Sequence, residues 1–164
     1  MEDRPGITIR HEFKPGDIGA LIGLHGTLYH REYGFDTIFE SYVAETFIEF
    51  IRSSEENGRI WIVEGSGEIV GCIGVMSRPD RTAQLRWLLV HPRFRGRGLG
   101  EMLMKEALDF SKEHGFTRIY LLTQDILEDA ARMYLKFGFE LVDQSDEEEI
   151  WGARMRYQRY EREL

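Results

Sequence analysis

The sequence predicts an α/β protein in which one mixed β-sheet carries helices on its faces, as a single domain over residues 1–164. Strand-like alternation and helical spacing of apolar residues follow one another in the order β-α-α-β-β-β-α-β-α-β-β. The length of 164 residues suits one domain with a sizeable core. Because no internal repeat, low-complexity segment or linker interrupts the chain, we expect no second domain.

The first third of the chain predicts a strand followed by two helices. Residues 7–13 alternate apolar and polar side chains, as a strand does. Pro15-Gly16-Asp17 begins a helix, with Asp17 as its predicted N-cap and an apolar face that reaches Tyr29. A second helix keeps apolar residues at helical spacing from Ile38 to Ile51, and Asn57-Gly58 closes this unit.

The remainder predicts six further strands and two helices. The strands cover residues 60–64, 68–76, 85–90, 119–123, 139–142 and about 150–160, and the helices run from Leu99 to Gly115 and from Leu127 to Gly138. Gly65-Ser66-Gly67 predicts a hairpin between the first two of these strands. The strand at 119–123 is so apolar that we expect both of its faces to be covered. The last two strands are expected to pair across the acidic turn 146–149.

Composition and charge exclude several classes of function. A net charge of −8 and a pI near 5.2 argue against nucleic-acid binding, which rests on cationic contacts to phosphates, and suit a cationic or amine partner. The single cysteine, Cys72, excludes an internal disulfide framework and fits a reducing compartment. Because no apolar run could span a membrane and the polar start MEDRPG does not look like a signal peptide, we predict a cytoplasmic protein without a membrane partner.

The segment that follows the strand at 85–90 predicts an anion site. After a turn at His91-Pro92 come Arg93, Phe94 and then the glycine loop, residues 95–100 (RGRGLG), which leads into a helix. Glycines between a strand and a helix let backbone N–H groups point at an anion, and the positive end of the helix dipole adds to the attraction. The arginines at positions 93, 95 and 97 are further candidates for contacts with a phosphate.

The glycine spacing separates the candidate phosphate sites. A dinucleotide fingerprint needs G-x-G-x-x-G and a Walker loop needs Gly-Lys-Ser/Thr, and neither is present. What remains is R/Q-x-x-G-x-G/A after a strand, preceded by Val90-His91-Pro92, and this pattern resembles the GNAT superfamily of N-acetyltransferases. Residues 130–139 (AARMYLKFGF) are similar to the final helix of that superfamily, with its tyrosine and its Gly-Phe strand entry.

The resemblance implies a fold and a donor. The fold would be the GNAT acyl-CoA N-acyltransferase fold, with a central, mostly antiparallel sheet of about seven strands, four helices and a splayed pair of fourth and fifth strands. The donor would be acetyl-coenzyme A, whose pyrophosphate the glycine loop would hold and whose pantetheine arm would pair with strand backbone. The implied cofactor-binding residues are Leu88, Leu89, Val90, Arg95, Gly96, Arg97, Gly98, Leu99 and Gly100, and no metal is expected.

The resemblance also implies direct transfer of the acetyl group to an amine, with Tyr134 protonating the coenzyme A thiolate. Some relatives carry a glutamate base where this chain has Gln84, which is a poor proton acceptor. Glu40 is our predicted substitute, with Glu64, Asp36, His25 and His30 behind it. Because Cys72 lies mid-strand, we expect it to be buried and no acyl-enzyme to form.

The acceptor is left open by the sequence. The segment from Leu24 to Glu40, together with Trp151-Gly152, is similar to the acetyltransferase half of proteins fused to MarR-type regulators, but this implies no substrate. A small amine, an amino-acid derivative and a protein lysine all remain, and an aromatic, acidic pocket at the first helix would suit a cationic amine. The alternatives are a non-catalytic acetyl-CoA-binding sensor and an acyltransferase for longer acyl-CoA; a homodimer also stays open.

Overall fold

A computed structural model describes residues 6–53 and 58–164, so the predicted turn residue Asn57 and the start at residues 1–5 lie outside the described residues. Within these ranges the strands are β1 (Ile7–Arg10), β2 (Arg59–Gly65), β3 (Glu68–Arg78), β4 (Thr82–Val90), β5 (Arg118–Gln124), β6 (Glu140–Gln144), β7 (Glu148–Ile150), β8 (Ala153–Met155) and β9 (Tyr157–Glu163). The helices are α1 (Asp17–Tyr33), α2 (Thr37–Arg52), α3 (Leu99–Glu113) and α4 (Glu128–Lys136), and a short 3-10 turn covers Pro92–Phe94.

Seven of these strands form one mixed sheet in the order β1-β2-β3-β4-β5-β9-β6. The β4–β5 pair is parallel, and the other neighbours are antiparallel. Strands β7 and β8 form a separate small hairpin. The predicted mixed, mostly antiparallel sheet of about seven strands with four helices is therefore confirmed.

Alternating side chains divide the core between the two faces of the sheet. Along β2, Trp61 and Val63 join the apolar cluster that contains the buried residues of α3 and α4, whereas Ile60 and Ile62 join the cluster that contains those of α1 and α2. A strand with helices on both faces buries consecutive residues, because its side chains point to opposite sides in turn. The predicted burial of Cys72, which is 0% exposed, is also confirmed.

The prediction of one long last strand at about 150–160 is wrong. Trp151 and Gly152 both have positive φ, 50° and 82°, and form the tight turn that joins β7 to β8. Two consecutive residues with positive φ are typical of a two-residue hairpin loop, so the chain reverses here and continues into β9 only at Tyr157. The predicted pairing with the strand after Phe139 is confirmed, because β6 pairs antiparallel with β9.

The predicted N-cap of the first helix is also wrong by one residue. Gly16, with a φ of 97°, precedes the helix, and Asp17 is its first helical residue. The Asp17 carboxylate accepts hydrogen bonds from both terminal nitrogens of Arg10, at 2.6 and 2.7 Å, and from the Lys14 backbone N–H at 2.5 Å. The contact with Arg10 is the main reason that the pKa of Asp17 lies below its usual value.

Candidate active site

The centre of the sheet opens between β4 and β5. The two strands pair only through Thr82, Ala83 and Gln84, and the last pair joins Gln84 to Tyr120. Beyond it, β4 continues to Val90 along β3, whereas β5 continues along β9. The predicted splay is therefore confirmed, and the β4 backbone beyond Gln84 lacks a strand partner on this side.

A β-bulge in β4 turns two consecutive side chains to the same face of the sheet. Between the pairs Cys72↔Leu89 and Gly74↔Arg86, β3 has one residue and β4 has two, Trp87 and Leu88. Trp87 has a φ of 56°, which a non-glycine residue rarely adopts. As a result, Arg86 and Trp87 both contact α2 instead of pointing to opposite sides.

Two contacts, and the absence of a side chain at Gly74, stabilise Trp87 in this conformation. Its ring stacks on Phe47 with a centroid distance of 4.2 Å, and its Nε1–H donates to Thr46 Oγ1 at 2.8 Å. On the opposite strand, a Cβ at Gly74 would lie 2.4 Å from Trp87 Cε3, so only glycine leaves room for the ring. The surrounding structure thus stabilises a backbone conformation that is unfavourable by itself.

The glycine loop makes the sharp turn from β4 into α3. Gly96 and Gly98 have φ values of 70° and 71°, and Gly98 is the residue immediately before the helix. A Cβ at Gly100 would lie 3.1 Å from Met133 Cε, so this glycine permits the close approach of α4. The first N–H groups of α3 have no partner within the helix and carry its positive dipole end, which makes this loop suitable for an anion.

The predicted phosphate-binding arginines have partners in the described structure. Arg95 donates from Nε to the Val90 carbonyl at 2.7 Å, and its terminal nitrogens contact both carboxylate oxygens of Glu32 at 2.6 and 3.1 Å. The Arg97 guanidinium lies 6.0 Å from the centroid of the Phe94 ring. A phosphate at Arg95 would therefore compete with Glu32 for the same guanidinium.

A cleft of about 300 Å³, which we call the loop cleft, runs from the glycine loop along the open edge of β4. It brings together eight of the nine predicted cofactor-binding residues: Leu88, Leu89, Val90, Arg95, Gly96, Gly98, Leu99 and Gly100. Arg97 is not among the residues that line it. Its other wall includes Ala130 and Met133 of α4.

A smaller cavity of about 100 Å³, the aromatic cavity, lies on the α1–α2 side of the same opening. Its walls include the rings of Tyr29, Phe39, Tyr42, Trp87, Tyr134 and Trp151. Tyr29, Leu88 and Leu127 line both the aromatic cavity and the loop cleft, so the two spaces adjoin. Leu122 also lines this cavity and is 50% exposed, which corrects the expectation that both faces of β5 are covered.

Tyr134 lies in the wall of the aromatic cavity and is 8% exposed. Its ring packs edge-on against Phe139 and at a tilt against Tyr160. Burial raises the pKa of Tyr134 to about 12, against a smaller opposing effect of its hydrogen bond with the Thr123 side chain. The pKa of Tyr29 is also raised, mainly by burial and to a lesser extent by the nearby Tyr134. Both phenols therefore keep their protons at neutral pH.

Glu40, the predicted base, does not line the cavity that contains Tyr134. It faces α1, where a Cβ at Gly26 would lie 2.9 Å from Glu40 Cδ, and it lines neither the loop cleft nor the aromatic cavity. Among the described residues that line the aromatic cavity, none is an aspartate or glutamate. The expected acidic character of the pocket is therefore wrong, although its aromatic character is confirmed.

The other candidate bases have structural partners. Asp36 caps α2 by accepting from the N–H groups of Ile38 and Phe39 at 2.9 and 3.4 Å. Glu64 Oε1 accepts from Arg10 Nε at 2.8 Å, and His30 Nδ1 lies 2.8 Å from the Phe35 carbonyl. These contacts tie the three side chains to positions outside the wall of the aromatic cavity.

Gln84 does line the aromatic cavity, where it is 3% exposed. Its Oε1 accepts hydrogen bonds from Arg78 Nε and Nη2 at 2.8 and 2.6 Å. The amide oxygen is therefore already occupied by a guanidinium. The position that holds a glutamate base in some relatives here contributes a fixed, neutral group.

Sequence reasoning ranked His25 behind Glu40 and overlooked Arg86, but both line the aromatic cavity. His25 is 3% exposed, and its Nδ1 lies 2.8 Å from the Leu21 carbonyl. Burial lowers the pKa of His25 to about 4, so the ring is neutral at neutral pH. Arg86 has a signal in the sequence, because it is the one charged residue in the otherwise apolar strand 85–90.

The β7–β8 hairpin closes one side of the aromatic cavity. The Asp36 backbone N–H donates to the Trp151 carbonyl at 2.9 Å, and the Trp151 ring lies 5.0 Å from Phe39 and 5.2 Å from Tyr42. The segments around Phe35 and at Trp151, which in the sequence are similar to the acetyltransferase half of MarR-type fusion proteins, therefore contact each other.

The described structure offers no support for a cysteine nucleophile, a metal site or a membrane-spanning helix. Cys72 is fully buried, its thiol donates to the Trp87 carbonyl at 3.0 Å, and burial raises its pKa, so it is not a nucleophile poised for attack. Across residues 6–53 and 58–164, no group of three or more His, Cys, Asp and Glu side chains could hold a metal ion. In the same ranges, no helix is both long and apolar enough to cross a bilayer.

Comparison with known sequences gives consistent matches. The sequence model described as the acetyltransferase (GNAT) family matches residues 27–139. The uncharacterized N-acetyltransferase YjgM of Escherichia coli is 35% identical over 94 residues, which cover 55% of this chain and 56% of that protein. N-acetyltransferase 8 of Rattus norvegicus is 29% identical over 97 residues, which cover 56% of this chain and 44% of that protein. The chain thus spans about half the length of these relatives.

Solved structures show the same fold. An acetyltransferase from Streptococcus agalactiae superposes with a TM-score of 0.76 at 23% identity, over 98% of this chain and 100% of that chain. A GNAT family acetyltransferase from Elizabethkingia anophelis, solved with acetyl-CoA bound, superposes with a TM-score of 0.65 at 17% identity, over 98% and 100% of the two chains. At these identities the likeness concerns the fold alone.

Proposed function

The chain belongs to the acetyltransferase (GNAT) family, and from this premise we propose that it transfers the acetyl group of acetyl-coenzyme A directly to an amine. The observation that carries the proposal is the opening between β4 and β5, which has the glycine loop at one end and Tyr134 at the other. Bound acetyl-coenzyme A would supply an acetyl thioester, and the residues of this chain would hold the donor, orient the amine and manage the proton.

The loop cleft fits such a donor in shape and in chemistry. The N–H groups at the start of α3 suit a pyrophosphate, because they lack helical partners and carry positive partial charge. The β4 backbone at Leu88 and Leu89 has no strand partner on the open side, so it suits an extended amide-containing arm. The Elizabethkingia anophelis acetyltransferase, which has the same fold and was solved with acetyl-CoA bound, supports acetyl-coenzyme A as the donor. We assign Arg95 and Arg97 to the phosphates, with Arg95 exchanging Glu32 for the ligand.

We assign Tyr134 the role of donating a proton to the leaving thiolate. Its raised pKa of about 12 keeps the hydroxyl protonated at any physiological pH, as a donor must be. An alkyl thiol is a stronger acid than this phenol, so full proton transfer from Tyr134 to the thiolate is uphill. Tyr134 therefore stabilises the developing thiolate by a hydrogen bond, and its full proton transfer is coupled to loss of the proton from the attacking nitrogen.

Two observations favour a second function, a non-catalytic acetyl-CoA-binding sensor. None of the described residues lining the aromatic cavity is a carboxylate that could take the proton of an ammonium acceptor. Gln84 is held by Arg78, and Glu40 faces α1. The position of Glu40 gives no support to its predicted role as base, so an acceptor must reach the cavity as the free amine or lose its proton to water.

A thiol-release assay with acetyl-coenzyme A and a panel of amines separates the two functions. We expect coenzyme A to appear at a rate that depends on the amine, with the acetylated amine formed in equal amount by mass spectrometry. Calorimetric binding of acetyl-coenzyme A without release of thiol on any amine would establish the sensor instead. Longer acyl donors in the same assay test the remaining alternative, a different acyl specificity.

The proposal extends to the domain organisation, the cellular location, the kinship and the oligomeric state of the protein. We propose that residues 1–164 act as one acetyltransferase domain, and that the protein works in the cytoplasm, which the lone buried Cys72 supports. We also propose kinship with the acetyltransferase half of MarR-type fusion proteins, on the likeness of the segment from Leu24 to Glu40 and of Trp151-Gly152. A homodimer stays a prediction.

A further inference from the structure

Two buried polar atoms without hydrogen-bond partners belong to residues that line the aromatic cavity. They are Nε2 of His25 and Nε of Arg86. The described residues contain one more such side-chain atom, Nε1 of Trp61, which belongs to the core on the opposite face of the sheet. Because buried polar groups are nearly always paired, two unpaired atoms in one cavity indicate that a ligand completes them.

The His25 atom is a hydrogen-bond acceptor. A carbonyl oxygen can only accept, so the 2.8 Å contact with the Leu21 carbonyl requires a proton on His25 Nδ1. In the neutral ring Nε2 then carries the lone pair. The neighbouring rings of Tyr29 and Phe47, stacked and edge-on at 6.1 and 5.9 Å, hold the imidazole in place. A ligand group that donates, such as an N–H, satisfies this atom.

The Arg86 atom is a donor within a cluster of positive charge. Arg78 donates to one carboxylate oxygen of Glu49 at 2.7 Å, whereas Arg86 lies 3.9 Å from the other oxygen. Two guanidinium groups thus share one carboxylate, which leaves one positive charge uncompensated among these three residues. The Arg86 side chain is 14% exposed, so this charge lies at a largely buried site. A ligand anion satisfies both the charge and the free Nε–H.

We propose that the aromatic cavity binds a small α-amino acid as the acetyl acceptor, with Arg86 Nε donating to its carboxylate and His25 Nε2 accepting from its amine. The proposal rests on the proposed acetyl transfer and names the acceptor class. An amine nitrogen that donates one N–H to His25 keeps its lone pair free to attack the acetyl carbonyl carbon. The C–N bond then forms as the C–S bond breaks, the nitrogen loses one proton, and the thiolate gains one from Tyr134. Tyr134, the proposed proton donor to the thiolate, lines the same cavity as these two residues.

The other acceptor classes match the cavity less well. A simple cationic amine would meet the uncompensated charge of Arg86 and no carboxylate among the described wall residues. A lysine side chain of a protein brings an amine but no carboxylate next to it. The volume of about 100 Å³ is less than the 150 Å³ of an engineered cavity that binds benzene, and it suits a molecule of few heavy atoms.

The test compares matched acceptors in the thiol-release assay. Each proteinogenic amino acid is paired with its primary amide and with the amine that lacks the carboxyl group. We expect at least one small amino acid to exceed both partners in kcat/KM by about tenfold or more, because only it completes the charged contact with Arg86. Equal or higher kcat/KM for the amides in every pair would overturn the proposal.

Variants of Arg86 and His25 test whether the preference for amino acids depends on these two side chains. Arg86→Gln should reduce the preference for the carboxylate to about one, and Arg86→Lys should retain part of it by keeping the charge. Arg118→Gln is the matched control, since it removes one positive charge from an exposed position that lines neither the aromatic cavity nor the loop cleft, where Arg118 contacts Glu163. His25→Leu should raise the KM for the amino acid and leave the KM for acetyl-coenzyme A unchanged, and His25→Gln should recover part of the loss. An unchanged preference in Arg86→Gln would contradict the assignment.

A binding measurement separates failure of this inference from failure of the proposed function. Calorimetric titration of the protein–coenzyme A complex with the same amino acids and amides needs no turnover. If no amine is acetylated, the acetyltransferase proposal fails. In that case, tighter binding of the amino acid than of its amide would still support a carboxylate-binding site at Arg86. If amines are acetylated but acid and amide bind alike, the acceptor class is wrong and the acetyl transfer stands.

Discussion

At the scale of single residues, the environment of Tyr134 determines what its hydroxyl can do. The resemblance to the GNAT superfamily predicts a proton donor at this position, and the structure adds burial that raises its pKa to about 12. A phenol this weakly acidic is reliably protonated but gives up its proton reluctantly. Its contribution to the reaction should therefore come from the hydrogen bond that strengthens as the thiolate forms.

Tyr134→Phe should lower kcat by about 100-fold or more, because proton donation to a leaving group is typically worth 10²–10⁴ in rate. The KM for acetyl-coenzyme A should change by no more than about threefold, since the ring that packs against Phe139 is kept. Steady-state thiol release measures both values. Tyr160→Phe is the matched control, because its ring lies 5.6 Å from Tyr134 but does not line the aromatic cavity. An unaltered kcat in Tyr134→Phe would remove it as the donor.

Glu40→Gln should leave kcat and both KM values within about twofold of the parent, because the carboxylate faces Gly26 and not the aromatic cavity. The measurement is a pH–rate profile of thiol release from pH 6 to pH 10. A 100-fold loss of kcat that recovers at alkaline pH, where the amine is already deprotonated, would instead establish Glu40 as the base.

At the scale of elements, β4 and the glycine loop together shape the donor site. The extra residue in β4 turns Arg86 and Trp87 toward α2, and the missing pairs with β5 leave the strand edge open. The glycine loop then reverses the chain so that the start of α3 points into the loop cleft. Positive φ at Gly96 and Gly98 makes this reversal possible without steric strain.

Gly98→Val should weaken binding of acetyl-coenzyme A by at least about tenfold, because a side chain here strains the turn and occupies the proposed phosphate site. Gly115→Val is the matched control. Gly115 follows the same helix at its other end with a φ of 76°, so both variants should lose about 2 kcal/mol of folding free energy. Calorimetric titration and urea unfolding provide the two measurements. Equal affinity in the two variants would argue against the loop as the phosphate site.

At the scale of the whole molecule, the candidate site lies where the halves of the core meet. The apolar cluster of α1 and α2 contributes Tyr29 and Trp151 to the aromatic cavity, and His25 stacks on Tyr29 beside it. The cluster of α3 and α4 contributes Leu88 and Tyr134. The opening between β4 and β5 joins the two faces at one point. Folding of both halves is therefore needed before any part of the site is complete.

Burial of neutral His25 should make the whole fold sensitive to mild acid. Burial is the main cause that lowers its folded-state pKa to about 4, below the unfolded value of about 6.5, and the hydrogen bond to Leu21 opposes this to a lesser extent. Between these values the unfolded chain binds more protons, so stability is complete above about pH 6.5 and falls as pH decreases toward 4. The expected loss between pH 7 and pH 5 is about 2 kcal/mol.

Urea unfolding at pH 7 and pH 5 measures this loss. His25→Gln should remove most of the difference between the two pH values, even if the variant is less stable at both. His30→Gln, at an exposed position of the same helix, is the control and should retain the difference. A parent protein equally stable at pH 7 and pH 5 would show that His25 titrates normally in the folded state.

Much of the fold was predictable because its signals are local. The apolar spacing from Ile38 to Ile51 predicts α2, although Ile38 and Ile51 are themselves exposed. The glycines after Val90 predict the turn into α3. The turn at Trp151-Gly152 was not predictable from apolar alternation, because tryptophan at positive φ is unfavourable by itself. The contacts of Trp151 with Phe39 and Asp36 hold it there.

The candidate site divides in the same way. The sequence by itself determined most of the sheet, the helices and the glycine loop, because each depends on neighbouring residues with a definite spacing, whereas the role of Tyr134 follows from the resemblance to the GNAT superfamily. Only the tertiary structure decided that Glu40 faces α1 and that His25 and Arg86 meet the same cavity with unpaired atoms. The physical reason is that a polar atom is paired or unpaired according to what packs around it, and those neighbours come from segments far apart in the chain.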